Sequence, residues 1–121
     1  MQRTYRVLKR IYPSVYISAA IIFVIMLFWG GSKPVAVGLF SFPFDKIVHV
    51  FAFSFLSLSL WFGVKERWPL FIIIMASTIG ALDEIHQLYL PGRVAAFSDF
   101  VADFVGSWFT VAFLKSMLEA S

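Results

Sequence analysis

Within the apolar body of this chain, the side chains able to hold a proton, a metal ion or an anion fall into three short groups flanking one arginine. Asp45, Lys46 and His49 form the first, Asp83, Glu84, His86 and Gln87 the second, and Asp99 and Asp103 the third, with Arg93 between the last two. Each group contains an i,i+4 pair: Asp45 with His49, Asp83 with Gln87, Asp99 with Asp103. On a helix such a pair shares one face. Three chemistries suit this set. Arg93, Lys46 and His49 could bind an anionic phospholipid or polyprenyl-phosphate headgroup, with a carboxyl or His86 as acid or base. Asp99, Asp103 and Glu84, with a histidine, are suitable ligands for a divalent cation bridging to phosphate. Carboxyls and histidines at membrane depth can also relay protons in a transporter. The acid-base candidates are therefore Glu84, His86, His49 and Asp103. The ligand-binding candidates are Arg93, Asp99, Gln87, Asp83, Asp45 and Lys46.

These residues must be positioned by a chain with little else that is polar. Of 121 residues, 60% are hydrophobic and 14% charged, whereas a soluble domain carries about a quarter charged residues and under half apolar ones. A water-exposed globule of this composition would lack polar residues to cover its surface, so the chain reads as an integral membrane protein. Its length suffices for one all-α domain of four transmembrane helices of about 20 residues each, without a separate soluble catalytic domain. The absence of cysteine excludes disulfides, thiol catalysis and zinc-thiolate sites.

Four spans follow from hydropathy and helix punctuation. The first runs over about 13–30, from Pro13 to the Gly30-Gly31-Ser32 break. A basic start before an apolar core also fits a secretory signal, but bulky Phe28 and Trp29 make a poor cleavage site, which favours a retained anchor. Pro34, Gly38 and Pro43 punctuate the following loop. The second span covers about 47–64 and ends at Lys65, Glu66 and Arg67. Pro69, suited to a first helical turn, opens the third, about 69–88. Leu90, Pro91, Gly92 and Arg93 break it, and Ser98 is the expected N-cap of the fourth, about 98–114.

Four spans place both termini on one side. That side would hold Arg3, Arg6, Lys9, Arg10, Lys65, Arg67 and Lys115, and the other Lys33, Lys46 and Arg93. The asymmetry puts the termini in the cytoplasm and the protein in the cytoplasmic (inner) membrane. Because successive helices alternate in direction, the three polar groups reach the same outer level and should share a pocket. At 1.5 Å per residue, Glu84 and Asp103 lie roughly 6 Å inside their helix ends, where an ionised carboxyl costs on the order of 3 kcal/mol unless it faces protein, a cation or water. The inner halves of the spans hold almost nothing polar, so one copy offers a one-sided cavity rather than a through-path.

Plainer readings exist for single residues. Ser57, Ser59 and Thr78 suit helix packing or backbone bonding, and Gly106 suits a close helix contact. Asp45 and Lys46 could be interfacial anchors, His49 a neutral packing histidine, and Trp29, Trp61 and Trp68 interfacial belt residues. Several acids meeting one arginine at one depth are harder to explain as inert. No Gly-rich phosphate loop, His-Glu-x-x-His or nucleophile elbow is present, and nothing supports nucleic-acid binding.

The run Asp83-Glu84-Ile85-His86-Gln87-Leu88-Tyr89-Leu90-Pro91-Gly92-Arg93, followed by Asp99, Asp103 and Gly106, resembles the VanZ-like family of small polytopic membrane proteins. Asp45-Lys46-x-x-His49 is similar to the start of that family's preceding span, so the resemblance covers about 45–114. Phe53 stands where many members carry tyrosine, and 94–97 are more apolar than is common after the arginine. The resemblance implies an integral membrane protein of four or more helices, associated with low-level resistance to teicoplanin or with a more general cell-envelope lipid function. The combined expectation is an outward-facing pocket that binds a lipid phosphate or cell-wall lipid intermediate, with or without turnover. Its expected partners are membrane lipids and a homo-oligomer or larger membrane complex. The alternatives are a non-catalytic accessory subunit and a proton-coupled transporter component.

Overall fold

The computed structural model describes residues 1–33 and 43–121; Pro34 and Gly38 lie outside the described residues. Among the described residues the secondary structure is helical, in five helices: α1 (Gln2–Lys9), α2 (Pro13–Gly31), α3 (Phe44–Gly63), α4 (Pro69–Gln87) and α5 (Phe97–Glu119). The four long ones are apolar and long enough to cross a membrane, as the hydropathy pattern requires. Prolines at the first turns of α2 and α4 use a position whose N–H has no intrahelical partner.

Three boundaries differ from the sequence reading. The basic N-terminal stretch, whose charges served above to set the topology, forms the separate helix α1. Helix α3 starts at Phe44 rather than at Ile47, with Asp45 in its first turn, where a carboxylate complements the positive end of the helix dipole. Helix α5 begins at Phe97, so Ala96 rather than Ser98 is its N-cap, and no side chain of α5 caps it. The cap comes from the neighbouring helix: Glu84 Oε2 accepts the Ala96 N–H at 2.9 Å. A carboxylate makes a stronger bond to an orphan N–H than a serine hydroxyl does, and it adds favourable charge at that end.

The core runs along α3, with Phe53, Leu56 and Trp61 packed against Ile72 and Ala76 of α4 and Val111 and Leu114 of α5. Helix α3 packs most extensively against α5, then α5 against α4, and α2 lies outside on α3. The α3/α5 seam is built from small residues. A Cβ on Gly106 would come within 2.4 Å of the Val50 carbonyl oxygen, so only glycine permits the approach. There Ser54 Oγ donates to the Gly106 carbonyl at 3.2 Å and Ser57 Oγ to Ser107 Oγ at 2.8 Å. Between helices in lipid, close packing and such bonds replace the hydrophobic driving force. Helix α2 buries only Tyr16 and Ala20. Ile22, Ile25, Phe51, Leu70, Ile74 and Phe109 face outward, as lipid-facing positions of a spanning helix do.

Helix α1 closes one end of the bundle. Tyr5, 3% exposed, donates its hydroxyl proton to Glu66 Oε2 and accepts from Trp61 Nε1 at 3.2 Å. Lys9 Nζ lies 3.1 Å from Glu66 Oε1. Burial first, and the adjoining Glu66 carboxylate second, push the Tyr5 phenol well above its ordinary pKa. Glu66 itself sits in a tight turn where Lys65, Glu66 and Trp68 all adopt left-handed backbone, with φ of 59°, 61° and 56°. Each such residue costs on the order of 1 kcal/mol, offset here by the bonds that Glu66 makes. Gln2 Nε2 donates to the Met117 carbonyl at 3.2 Å, so the N-terminus and the end of α5 lie together, opposite the acid-rich helix ends.

The seam makes a direct prediction. Gly106→Ala should lower the stability of the detergent-solubilised protein by about 1–3 kcal/mol, because the clash is with backbone. Gly30→Ala, which meets no atom within 4 Å, should be neutral or slightly stabilising; thermal unfolding of both variants checks the contrast.

Candidate functional site

At the end of the bundle opposite α1, the first turns of α3 and α5 meet the last turn of α4. Helical periodicity puts Ala76, Gly80, Asp83, Glu84 and Gln87 on the buried side of α4 and Asp99, Ala102, Asp103 and Gly106 on the buried side of α5. The polar residues thus extend the same stripes that form the core, and the three groups converge as their spacing predicts.

Asp103 is the centre of the cluster and is 0% exposed. Its Oδ1 lies 2.6 Å from His49 Nδ1 on α3, while its Oδ2 is a buried oxygen with no hydrogen-bond partner. That second oxygen points at the face of α4 that carries Gly80. A Cβ there would stand 2.8 Å from Oδ2 and 3.1 Å from the Asp103 Cβ. Gly80 therefore forms the notch that admits the carboxylate, a role the sequence reading missed. The signal available was the pair of small residues Ala76 and Gly80, one turn apart and followed one turn later by Glu84.

Lys46 bridges two acids, with Nζ 2.9 Å from Asp45 Oδ2 and hydrogen-bonded to Asp99 Oδ1. Asp45 Oδ1 remains without a partner. His49 Nε2 is 4.0 Å from Asp99 Oδ2, so the imidazole lies between two carboxylates of α5. Glu84, besides capping α5, accepts from Gln87 Nε2 at 3.3 Å, and the same amide nitrogen lies 3.2 Å from Asp83 Oδ2. Gln87 thus spans the two acids of its own helix.

Arg93 is placed by the turn after α4. Its N–H donates to the Leu90 carbonyl at 3.3 Å and Gly92 takes φ 75°. Proline second and a left-handed glycine third match the requirements of a type II turn, which leaves Arg93 at its fourth position. His86 is the one candidate that points elsewhere. Its ring packs on Phe28 of α2, with centroids 5.5 Å apart, because residue 86 falls off the buried stripe of α4.

Chemically, one ligand atom each from His49, Glu84 and Asp103 lies within 4.8 Å of the others. The sequence reading grouped Asp99, Asp103 and Glu84 with a histidine as cation ligands; in the structure the histidine beside Glu84 and Asp103 is His49, and Asp99 pairs with Lys46. The cluster contains five carboxyl groups, on Asp45, Asp83, Glu84, Asp99 and Asp103, against the two permanent cations Lys46 and Arg93.

These features define a multi-pass α-helical membrane protein with an ionisable cluster buried at one end of its bundle. The family model VanZ/LLP1 matches residues 5–118, and the chain belongs to that family. No curated protein and no solved structure matches it.

The His49–Asp103 pair should be strongly coupled. In a double-mutant cycle with His49→Ala and Asp103→Asn, unfolding in detergent should give a coupling energy of about 1–3 kcal/mol, as expected for contacting groups in one network. Simple additivity would mean that the two side chains act independently.

Proposed function

We propose that this VanZ-family protein lies in the cytoplasmic membrane with both termini inside, and that its acid-rich end faces outward and binds the phosphorylated headgroup of a lipid. The ligand class is an anionic phospholipid or a polyprenyl-phosphate intermediate of the cell wall. One observation carries this reading. Beside Glu84, a lateral cavity of about 330 Å³ opens between α4 and α5, with walls that include Ile85, Leu88, Phe97 and Phe100. The apolar trough suits the hydrocarbon of an amphiphile, and Glu84, its one charged wall residue, joins it to the cluster where Lys46 and Arg93 would meet the headgroup.

In this arrangement Arg93 is the anion clamp, since its planar fork can hold two phosphate oxygens at once. Lys46, held between Asp45 and Asp99, supplies a second positive edge. His49, held by Asp103, and Glu84 are the groups placed to take or give a proton. Holding a cell-wall lipid at the outer surface assigns the protein to the cell envelope, and an effect on teicoplanin resistance follows if that lipid belongs to the pathway the antibiotic blocks.

Orientation is tested first. The chain has no cysteine, so Tyr89→Cys at the acid-rich end and Arg10→Cys at the other give clean single labels. A membrane-impermeant maleimide should label the former on intact cells and the latter only after permeabilisation; the reverse pattern would overturn the topology.

Ligand class is tested by native mass spectrometry of protein incubated with a polyprenyl phosphate or the corresponding polyprenol. The phosphate should be retained at least tenfold better. Arg93→Ala should remove about 10- to 100-fold of that preference, the equivalent of one or two charge-assisted hydrogen bonds. Equal retention of phosphate and alcohol, or an unchanged preference in the variant, would sink the reading.

A further inference from the structure

We infer that His49, Glu84 and Asp103 form a binding site for one divalent transition-metal ion of the manganese or zinc class. The inference builds on the lipid-phosphate reading in that both use the same end of the bundle, but its three protein ligands bind the ion whether or not a lipid is present.

Four observations carry it. The three residues come from three different helices and bring one imidazole nitrogen and two carboxylate oxygens within 4.8 Å of one another. Ligands on one ion, at about 2.1 Å each, stand at most about 4.2 Å apart, so small side-chain adjustments close the set. Second, Asp103 is fully buried and its Oδ2 has no hydrogen-bond partner. A buried carboxylate oxygen left unpaired is costly, and this one points at the face of α4 from which Glu84 projects one turn beyond Gly80. Third, the Lys46 ammonium is taken up by Asp45 and Asp99, acids outside the trio. Fourth, the outer supports of the trio are in place. Gln87 and the Ala96 N–H hold Glu84, Asp99 lies beside the His49 ring, and such second contacts are what orient metal ligands.

The donor set decides the class of ion. One imidazole with two carboxylates suits manganese or zinc better than calcium, which takes only oxygen ligands, usually six to eight. Three protein ligands leave coordination positions open, and a phosphate oxygen of the lipid is the natural occupant. The ion would then give an acid-rich site the positive charge it needs to hold an anion.

The test uses the full chain in detergent, stripped with a chelator and free of added lipid. Titration with Mn2+ followed by electron paramagnetic resonance should show one saturable site, and pulsed measurements should show coupling to a single histidine nitrogen. His49→Ala should abolish the nitrogen coupling, and His49→Ala and Glu84→Gln should each weaken Mn2+ binding at least tenfold. The wild-type nitrogen signal requires no variant to fold. Absence of saturable binding, or bound Mn2+ with no nitrogen coupling, would overturn the inference, as would affinity unchanged in folded His49→Ala protein. Retention of polyprenyl phosphate is scored separately, on chelated and on Mn2+-loaded protein. Metal binding without lipid preference would refute the lipid reading alone; lipid preference without metal binding would refute the ion site alone.

Discussion

A carboxylate withdrawn completely from water dictates much of this protein. Asp103 sits nearly two turns inside α5 with no exposed surface, in a chain that is 60% hydrophobic, and lipid offers it nothing to bond. Its partners must come from the other helices, which sets the distance and rotation at which α3 and α4 approach α5. His49 must be brought to Oδ1, and α4 must present a residue without a side chain, Gly80, to make room for Oδ2. Gly106, one turn further along α5, lets α3 come close enough for His49 to reach. Glycines on both sides of one acid are the packing counterpart of its burial.

The two ends of the bundle handle buried charge differently. At the α1 end, Glu66 is matched: a phenol and a lysine contact its two oxygens, and Trp61 supports the phenol. Three left-handed residues in one short turn are tolerated because that network holds them. At the other end, acids outnumber fixed cations, and oxygens of Asp45 and Asp103 stay without partners. A finished network such as the first stabilises a structure; an unfinished one leaves free-energy gain for a ligand to supply. That contrast is the physical ground for locating function at the acid-rich end.

Much of this was legible from residue order. Hydropathy and prolines located the four spans, because a stretch of apolar residues with a proline at its start has few alternatives. The i,i+4 pairs and alternating helix direction brought Asp45, Asp83 and Asp99 to one level, since parity of crossings leaves no choice. Leu90-Pro91-Gly92-Arg93 formed its turn locally. Less legible were pairings that depend on helix rotation. Lys46 takes Asp99 out of the group of cation ligands, His86 turns to Phe28 while His49 enters, and Glu84 caps a helix that Ser98 was expected to cap. Helix α1 escaped notice because its short, basic sequence carries a topology signal that masks its one buried residue, Tyr5.

Sequence alone therefore settled the kind of molecule and the level along each helix at which its polar groups fall: composition fixes the solvent a chain can live in, and helical rise fixes where along a span each residue falls. Tertiary structure decided which acid meets which base. A residue's azimuth on its helix is meaningful only relative to a neighbour, and the neighbour's approach was governed by single glycines, Gly80 and Gly106, whose effect is a distance between backbones that no local pattern encodes.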